Sequence, residues 1–226
     1  MTLPSRRPLI CLITDRRRLR PDGSESERVS ALLDLIGEAA AAGVDLVQVR
    51  ERDLDDRALL ALVGEAARRV RPHGTRLLVN DRLDVALAAG ADGVHLRGDG
   101  PDASRLRALV GRGFLVGRSV HDAAEAERHA ASGALDYLIF GPVFETASKP
   151  SPPAGVAALA ETVARSRVPV LAVGGVTAER AGEIARAGAA GVAAIGAFLP
   201  APGSSGSLAG FVEALRRAFD SPGQLI

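Results

Sequence analysis

Positively charged and amide side chains follow one of the short apolar runs in this chain. The run over residues 44–50 ends in Gln48 and Arg50 and is followed by Arg52. A period of two places these three side chains on the same side of an extended segment. A guanidinium fork matches phosphate oxygens and binds them bidentately. The pattern predicts binding of a phosphorylated ligand; the alternative is an Arg–Asp ion pair that closes the end of the fold.

Carboxylates near these cations are candidates for metal binding. Asn80-Asp81 ends a third apolar run, and Asp99 follows a fourth. Mg²⁺ is commonly held by one or two carboxylates together with substrate phosphates. Asp81 and Asp99 are therefore candidate Mg²⁺ ligands, while Asp81 taken alone is equally typical of a helix N-cap.

Two later runs end in hydroxyl groups, an imidazole and the only lysine of the chain. Ser119 and His121 follow the fifth run two residues apart, so an extended chain places their side chains on the same side. There they can bind phosphate or move a proton. The alternative is a turn residue followed by a neighbour of a helix cap. Thr146, Ser148 and Lys149 lie together after the sixth run, and a lysine is a suitable point charge for a phosphate.

Glycines follow the last two runs, where backbone N–H groups can approach an anion. Gly174 and Gly175 end the seventh run, and Gly196 ends the eighth. With Thr146 and Ser148, these glycines predict a second anion site that suits a monophosphate. Two anion sites together predict an enzyme that joins or interconverts small phosphorylated molecules.

These residues must be positioned by eight alternating β and α units. Strands buried on both faces are predicted at residues 9–14, 44–50, 76–80, 93–96, 114–119, 135–141, 168–174 and 191–196. Helices are predicted at residues 27–42, 55–70, 81–89, 102–110, 123–132, 156–165, 178–187 and 208–218. A count of eight, and no Gly-x-Gly-x-x-Gly after the first strand, favour a single (β/α)8 TIM-barrel domain over residues 1–226 rather than a doubly wound sheet. In such a barrel the polar strand ends meet at one rim.

Composition excludes several other classes of protein. The 28 Lys and Arg balance 27 Asp and Glu, which argues against a dedicated nucleic-acid binder. No apolar stretch reaches the roughly 20 residues of a membrane span, and no signal peptide is evident, so we expect a soluble cytoplasmic protein without a membrane partner. The single cysteine, Cys11, allows no internal disulfide. The arginine run at residues 16–18 is predicted to be a solvated loop.

Several motifs together resemble one family, that of thiamine phosphate synthase and its close relative, the thiazole tautomerase. The resemblance covers nearly the whole chain, from residue 12 to residue 196. It is carried by Gln48-Val49-Arg50, Asn80-Asp81-Arg82-Leu83-Asp84-Val85-Ala86, Ala91-Asp92-Gly93-Val94-His95-Leu96, Gly117-Arg118-Ser119-Val120-His121, Phe140-Gly141-Pro142-Val143-Phe144, Thr146-Ala147-Ser148-Lys149 and Val173-Gly174-Gly175-Val176-Thr177.

The resemblance implies a barrel that joins hydroxymethylpyrimidine diphosphate to a thiazole phosphate. It implies that the diphosphate leaves first and that the thiazole nitrogen captures the pyrimidine cation. It places the diphosphate on Gln48, Arg50, Asn80, Ser119 and Lys149, with Mg²⁺ on Asp81 and Asp99. It places His95 and Tyr137 near the pyrimidine, and Thr146, Ser148 and Gly175 on the thiazole phosphate. Barrels of this kind often pair, so a homodimer is one possible assembly.

The sequence departs from the synthase pattern at several positions. The synthase usually has lysine in place of Arg52, serine in place of Gly196, and a segment one residue longer where Asp99 stands. The segments around Arg52 and His121 look more like the tautomerase, in which the histidine matching His121 is the proton shuttle. The tautomerase tends to lose the aspartate matching Asp81, so the synthase is favoured. A third hypothesis is a barrel that binds ligands of the thiamine pathway and regulates without turnover.

Overall fold

Eight parallel strands close into a barrel in which each strand pairs with the next and β8 pairs with β1. The computed structural model describes residues 2–5, 7–146, 152–199 and 207–220. The register joins Leu9 to Gly191, which closes the ring. The strands are β1 (Leu9–Ile13), β2 (Leu46–Val49), β3 (Arg76–Asn80), β4 (Gly93–Leu96), β5 (Leu115–Val120), β6 (Tyr137–Phe140), β7 (Val170–Val173) and β8 (Gly191–Ala194).

Helices separate the strands and form the outer layer. They are α1 (Arg16–Leu19), α2 (Glu25–Ala41), α3 (Asp56–Val70), α4 (Leu83–Ala88), α5 (Ala103–Val110), α6 (Ala123–Ala130), α7 (Gly155–Arg165), α8 (Ala181–Arg186) and α9 (Leu208–Asp220), with short 3-10 turns at Arg71–His73 and Gly196–Phe198. The predicted (β/α)8 TIM barrel is confirmed. Within the described residues, no helix is both long and apolar enough to cross a membrane.

The element bounds differ from the predicted ones where polar residues leave the regular structure. The arginine run forms the short helix α1, which was predicted to be a loop. Helix α4 begins at Leu83 rather than at residue 81 because Asp81 adopts a left-handed conformation, with φ of 60°. Helix α2 begins earlier than predicted because Ser24 and Glu27 form a capping box.

Two apolar layers explain why the strands contain almost no polar alternation. Alternate strand residues fill the inside of the barrel as one buried cluster: Leu9, Cys11, Ile13, Leu46, Leu78, Leu115, Tyr137, Ile139, Leu171 and Ala193. The residues between them pack outward against the helices in a second, larger cluster. Cys11 is fully buried in the inner cluster, and this burial raises the pKa of its thiol.

A recurring carboxylate holds the amino ends of the strands, opposite the predicted site. Asp45 precedes β2 and accepts a hydrogen bond of 2.8 Å from the backbone N of Ile10 in β1. Asp92, before β4, and Asp136, before β6, accept equivalent bonds from β3 and β5. Each carboxylate follows a glycine turn, which explains the recurring small-residue turn of the sequence.

Arginines pair with these three carboxylates. Arg216 of α9 lies 2.8 Å from Asp45 and is 8% exposed, and Arg107 lies 2.6 Å from Asp136. Arg76 lies 3.6 Å from Asp92. The charged groups at this end of the barrel therefore compensate one another and stabilise the fold.

Candidate active site

Two adjoining cavities open at the carboxyl ends of the strands. The larger, of about 620 Å³, includes residues that follow β1 to β5 and the end of β7. The smaller, of about 470 Å³, lies over the ends of β7 and β8. They share Thr146, Val173, Gly174 and Ile195 as walls. The structure brings these predicted residues to the larger cavity: Gln48, Arg50, Arg52, Asn80, His95, Ser119, His121, Thr146 and Gly174.

A chain of amides leads from β2 to Asp81. The Asn80 Nδ2 donates to Asp81 Oδ2 at 2.9 Å, and Gln48 Nε2 donates to Asn80 Oδ1 at 2.8 Å. A carboxylate only accepts hydrogen bonds, so Asp81 fixes the orientation of both amides. The buried Gln48 Oε1 is then left without a partner among the described residues. A bound ligand that donates a hydrogen bond would satisfy it.

Arg50 and Arg52 are cations without a matching carboxylate. Burial and the charge of Arg52 lower the pKa of the half-buried Arg50. Within the described ranges, neither guanidinium forms an ion pair, which disfavours the alternative of an Arg–Asp pair closing the barrel. The Thr14 hydroxyl accepts from the backbone N of Arg50 at 2.9 Å and fixes the end of β2. Two adjacent uncompensated cations favour binding of an anion.

The arginine run after β1 contributes to this rim instead of being only solvated. Arg16 is 1% exposed and binds Glu51 at 2.9 Å and Asp53 at 2.7 Å. Arg16 lowers the pKa of Asp53 to about 2, and burial raises the pKa of Glu51. These contacts anchor the segment that carries Arg52. No sequence pattern indicates this anchoring, because Glu51 and Asp53 lie 35 and 37 positions from Arg16.

Arg18 lies at the larger cavity, with Asp15 beside it. The Nη2 of Arg18 is 3.4 Å from the position that a Cβ on Gly196 would take. Among the residues that the structure describes, the Arg18 guanidinium forms no ion pair. Arg18 is thus a third uncompensated cation, next to the smaller cavity, and sequence reasoning missed it.

A buried hydrogen-bonded chain lies behind the wall of the larger cavity. His95 Nε2 lies 2.9 Å from Ser119 Oγ, and His95 Nδ1 lies 2.9 Å from the Tyr137 hydroxyl. Burial, with Arg118 and Arg50 nearby, lowers the pKa of His95 to about 3, so the imidazole is neutral. Tyr137 is fully buried and lies behind His95 rather than at the cavity. The structure thus places the Tyr137 hydroxyl against His95, and the position near the pyrimidine that the resemblance implies for Tyr137 stays a prediction.

His121 lies at the cavity wall next to a carboxylate. Its Nδ1 is 3.5 Å from Glu125 Oε2, and its backbone N donates to the same oxygen at 2.8 Å. The side chain is about half exposed. The neighbouring Arg118 is buried and donates to the backbone carbonyls of Arg97, Gly98, Gly100 and Pro101, which shapes the loop after β4.

The two predicted metal ligands differ in their surroundings. Asp81 lies at a side cavity of about 290 Å³ and accepts hydrogen bonds from Asn80 and from the backbone N of Arg97. Because α4 is preceded by Arg82 at the N-cap, Asp81 is not that cap. Asp99 is 82% exposed and pairs with Arg97 at 2.8 Å. Within the described ranges, no group of three or more His, Cys, Asp or Glu side chains is placed to hold a metal ion.

The smaller cavity is built on a glycine turn between β7 and α8. Gly175 has φ of 62°, and a Cβ there would lie 2.5 Å from the carbonyl oxygen of Glu145. Arg180 donates to the Gly175 carbonyl at 2.8 Å and lies over the Phe144 ring. Glycine is therefore required at this turn by conformation and by space. Gly174, Gly175, Gly196 and Thr146 line this cavity; Ser148 and Lys149 lie outside the described residues.

Comparisons with known proteins extend over most of the chain. A family model described as thiamine monophosphate synthase matches residues 11–198. A putative thiamine-phosphate synthase of Geobacter sulfurreducens is 46% identical over 173 residues, which cover 76% of this chain and 81% of that protein. A thiamine-phosphate synthase of Roseiflexus castenholzii is 39% identical over 201 residues, with 88% and 84% covered.

Solved structures agree with these matches. Thiamine phosphate pyrophosphorylase from Pyrococcus furiosus has a TM-score of 0.78 at 27% identity, covering 96% of this chain and 97% of that chain. A 3-hexulose-6-phosphate synthase, at 21% identity and a TM-score of 0.63, shares the fold alone. The family match runs from β1 to the turn after β8 and so includes the strand ends that form both cavities.

Proposed function

The chain belongs to the thiamine monophosphate synthase family, and on this basis we propose that it joins hydroxymethylpyrimidine diphosphate to thiazole phosphate. The products are thiamine phosphate and diphosphate. The protein is thus an enzyme of thiamine biosynthesis, a transferase of the pyrimidinylmethyl group. Its substrates are small phosphorylated molecules, as the two anion sites of the sequence predict.

One observation carries this proposal: two cavities, each lined by groups that suit an anion, share a wall. Uncompensated Arg50 and Arg52 line the larger cavity, and the glycine turn at Gly174 and Gly175 lines the smaller one. A diphosphate on the arginines and a monophosphate on the turn would lie next to each other. That proximity is what a reaction between two phosphorylated substrates requires.

The reaction needs stabilisation of a leaving group more than proton transfer. The bond between the pyrimidine methylene carbon and the diphosphate oxygen breaks, and its electron pair leaves with the diphosphate. The thiazole nitrogen then forms the new carbon–nitrogen bond. Arg50 and Arg52 neutralise charge that grows on the diphosphate, and Ser119 donates a hydrogen bond to it. The Nε2 of Gln48 already donates to Asn80, and its free Oε1 can only accept, so this proposal replaces the diphosphate contact expected of Gln48 by a contact with the amino group of the pyrimidine.

Mg²⁺ is the proposed cofactor, and the residues present fit it. Asp81 offers hard oxygen ligands in the side cavity, which shares Arg52, Asn80 and Arg97 with the larger cavity. Each of its oxygens accepts a single hydrogen bond from the described residues. Asp81 would hold the ion together with substrate phosphate oxygens, and Asp99 is proposed as a second ligand. When bound, Mg²⁺ neutralises negative charge on the leaving diphosphate.

Substituting Asp81 by Asn tests the metal site. Asn, like Asp, tolerates a positive φ, so Asp81→Asn keeps the backbone while removing the charge. We expect the Mg²⁺ concentration for half-maximal rate to rise roughly tenfold or more. Titration of Mg²⁺ into metal-depleted enzyme measures it, and Asp84→Asn, a nearby exposed position, is the control. An unchanged Mg²⁺ requirement in Asp81→Asn would exclude Asp81 as a ligand.

A thiazole tautomerase is the second candidate function, favoured by one observation. His121 lies at the cavity with Glu125 in contact, an arrangement that can move a proton. This function predicts isomerisation of the thiazole carboxylate phosphate without metal, and its loss in His121→Ala while thiazole phosphate still binds. Normal isomerisation by that variant would remove the candidate.

The experiment that tests the proposed function uses purified enzyme with both substrates and Mg²⁺. Formation of thiamine phosphate with an equal amount of diphosphate is the expected result. Isomerisation alone would favour the tautomerase, and tight binding of thiazole phosphate with neither reaction would favour a regulator.

The same proposal includes the domain organisation, the location and the assembly of the protein. We propose that residues 1–226 form one domain, that the enzyme acts in the cytoplasm, and that it pairs as a homodimer. Membership in a biosynthetic enzyme family supports the location. Light scattering of the purified chain measures the assembly, and a mass of one chain, 23.3 kDa, would contradict the dimer.

A further inference from the structure

A buried chain of three polar groups ends at the larger cavity. Tyr137 is fully buried, His95 is 2% exposed, and Ser119 lies at the cavity wall. The two hydrogen bonds that join them are both 2.9 Å long. Each bond has a donor and an acceptor, so the position of one proton determines the others.

The Tyr137 hydroxyl determines the direction of the chain. In the described part of the structure, its hydrogen bond to His95 Nδ1 is the only one it makes. If His95 Nδ1 were the donor, the hydroxyl proton of Tyr137 would be buried without an acceptor. An unsatisfied buried donor costs roughly 1–3 kcal/mol. Tyr137 therefore donates to Nδ1, and the neutral His95 carries its proton on Nε2.

The proton on His95 Nε2 then points to Ser119 Oγ. The oxygen of Ser119 accepts this bond, so its own proton is free to turn away from His95. We propose that Tyr137 and His95 are positioning residues that fix the Ser119 hydroxyl as a hydrogen-bond donor toward an anion in the larger cavity.

The opposite direction would have the opposite effect. With the proton on Nδ1, His95 Nε2 would accept the hydroxyl proton of Ser119 and turn only lone pairs toward the cavity. Those lone pairs would repel a phosphate oxygen. A doubly protonated ring would also donate to Tyr137 and leave the buried hydroxyl proton without an acceptor, so the hydrogen bonds favour the neutral ring. The identification of the anion as a diphosphate rests on the proposed function. The direction of the hydrogen bonds from Tyr137 through His95 to Ser119 does not.

Nitrogen NMR of the histidine rings tests the direction without any substrate. In ¹⁵N-labelled wild-type enzyme, the His95 ring is assigned by comparison with His95→Gln. We expect the spectrum of a neutral ring with its proton on Nε2, and we expect Tyr137→Phe to shift it toward a mixture of both tautomers. A ring with its proton on Nδ1 in the wild type would overturn the proposal, whatever reaction the enzyme catalyses.

Binding of inorganic diphosphate tests the consequence at Ser119. We expect Tyr137→Phe to raise the dissociation constant roughly three- to tenfold, and Ser119→Ala to raise it at least as much. In the Ser119→Ala background, Tyr137→Phe should add less than about twofold, because the two changes act on one bond. Equal effects of Tyr137→Phe in both backgrounds would show that Tyr137 acts through packing alone. Failure of the wild type to bind diphosphate would instead contradict the proposed function while leaving the NMR result to decide the direction.

Discussion

The chemistry of the site depends on which arginines lack a carboxylate as an ion-pair partner. Arg16, Arg107 and Arg216 are compensated by acidic partners and hold the fold together. Arg50 and Arg52 face the larger cavity without such a partner among the described residues. An anion that enters the cavity therefore meets two guanidiniums that form no direct ion pair with a described carboxylate. The charges of Asp15, Glu51 and Asp81 act on Arg50 through space only.

Arg18 belongs to the same uncompensated group, at the side of the thiazole phosphate. We expect Arg18→Gln to raise the KM for thiazole phosphate roughly tenfold, because a charge-assisted hydrogen bond contributes about 1.5–3 kcal/mol. Steady-state kinetics with each substrate varied in turn measures this. Arg17→Gln is the matched control, since Arg17 is 62% exposed and pairs with Asp53. Equal KM values in Arg18→Gln and Arg17→Gln would contradict this role.

The sequence predicted the cavity residues that stand at strand ends. Gln48, Arg50, Asn80 and Ser119 were found because parity and position in a barrel place them at the rim. Arg18, which is exposed, was missed because a run of arginines has no periodicity that separates a side chain at a cavity from one in bulk solvent. The expectation for Tyr137 came from the resemblance, and the depth of this residue beneath His95 is something that no sequence pattern reveals.

At the scale of elements, the turn after β7 shapes the smaller cavity. Gly175 and Gly74 both have left-handed φ, of 62° and 72°, but only Gly175 is crowded. A Cβ on Gly74 would have no neighbour within 4 Å, whereas a Cβ on Gly175 would overlap the chain after β6. Substitutions at the two glycines therefore separate the cost of the left-handed backbone from the cost of crowding around a new Cβ.

Alanine at each of these glycines tests that distinction. Gly74→Ala should cost about 1–2 kcal/mol of unfolding free energy from its left-handed conformation alone. Gly175→Ala should cost more, and it should also weaken binding of thiazole phosphate because the turn must shift. Urea denaturation and phosphate binding measure the two effects. Equal losses of stability and unchanged binding would show that the close approach at Gly175 is unimportant.

The amino ends of the strands provide a second test at this scale. Arg216→Met leaves the buried Asp45 without its cation, which should cost about 3–5 kcal/mol of unfolding free energy. Arg217→Met is the control on the next residue, whose exposed pair with Glu213 should contribute about 0.3–0.5 kcal/mol. Denaturant unfolding of both variants gives the difference. A loss below about 1 kcal/mol in Arg216→Met would contradict the stabilising role of this pair.

The order and type of the elements followed from the sequence, while their ends did not. Short continuous apolar runs without polar alternation are typical of strands in a parallel sheet covered on both faces, and all eight predicted strands are present. Element ends depend on contacts between distant residues or on local backbone conformation. Asp81 delays α4 through its positive φ, and Arg16 starts α1 while bound to Glu51.

At the scale of the whole molecule, closure of the barrel makes the two anion sites neighbours. β8 pairs with β1, which brings Gly196 close to Arg18, and the ends of β2 and β7 open into cavities with a common wall. An open sheet would place these strand ends at opposite edges. The fold therefore supplies the proximity, and the uncompensated cations supply the charge.

The rate of thiamine phosphate formation by wild-type enzyme and Arg50→Gln tests this account most directly. Neutralisation of the leaving diphosphate by Arg50 predicts a fall in kcat/KM for the pyrimidine diphosphate of roughly 10²- to 10³-fold. Arg57→Gln, an exposed position on α3, should keep the wild-type rate. An Arg50→Gln enzyme as fast as the wild type would contradict the central claim that uncompensated cations at this rim drive the reaction.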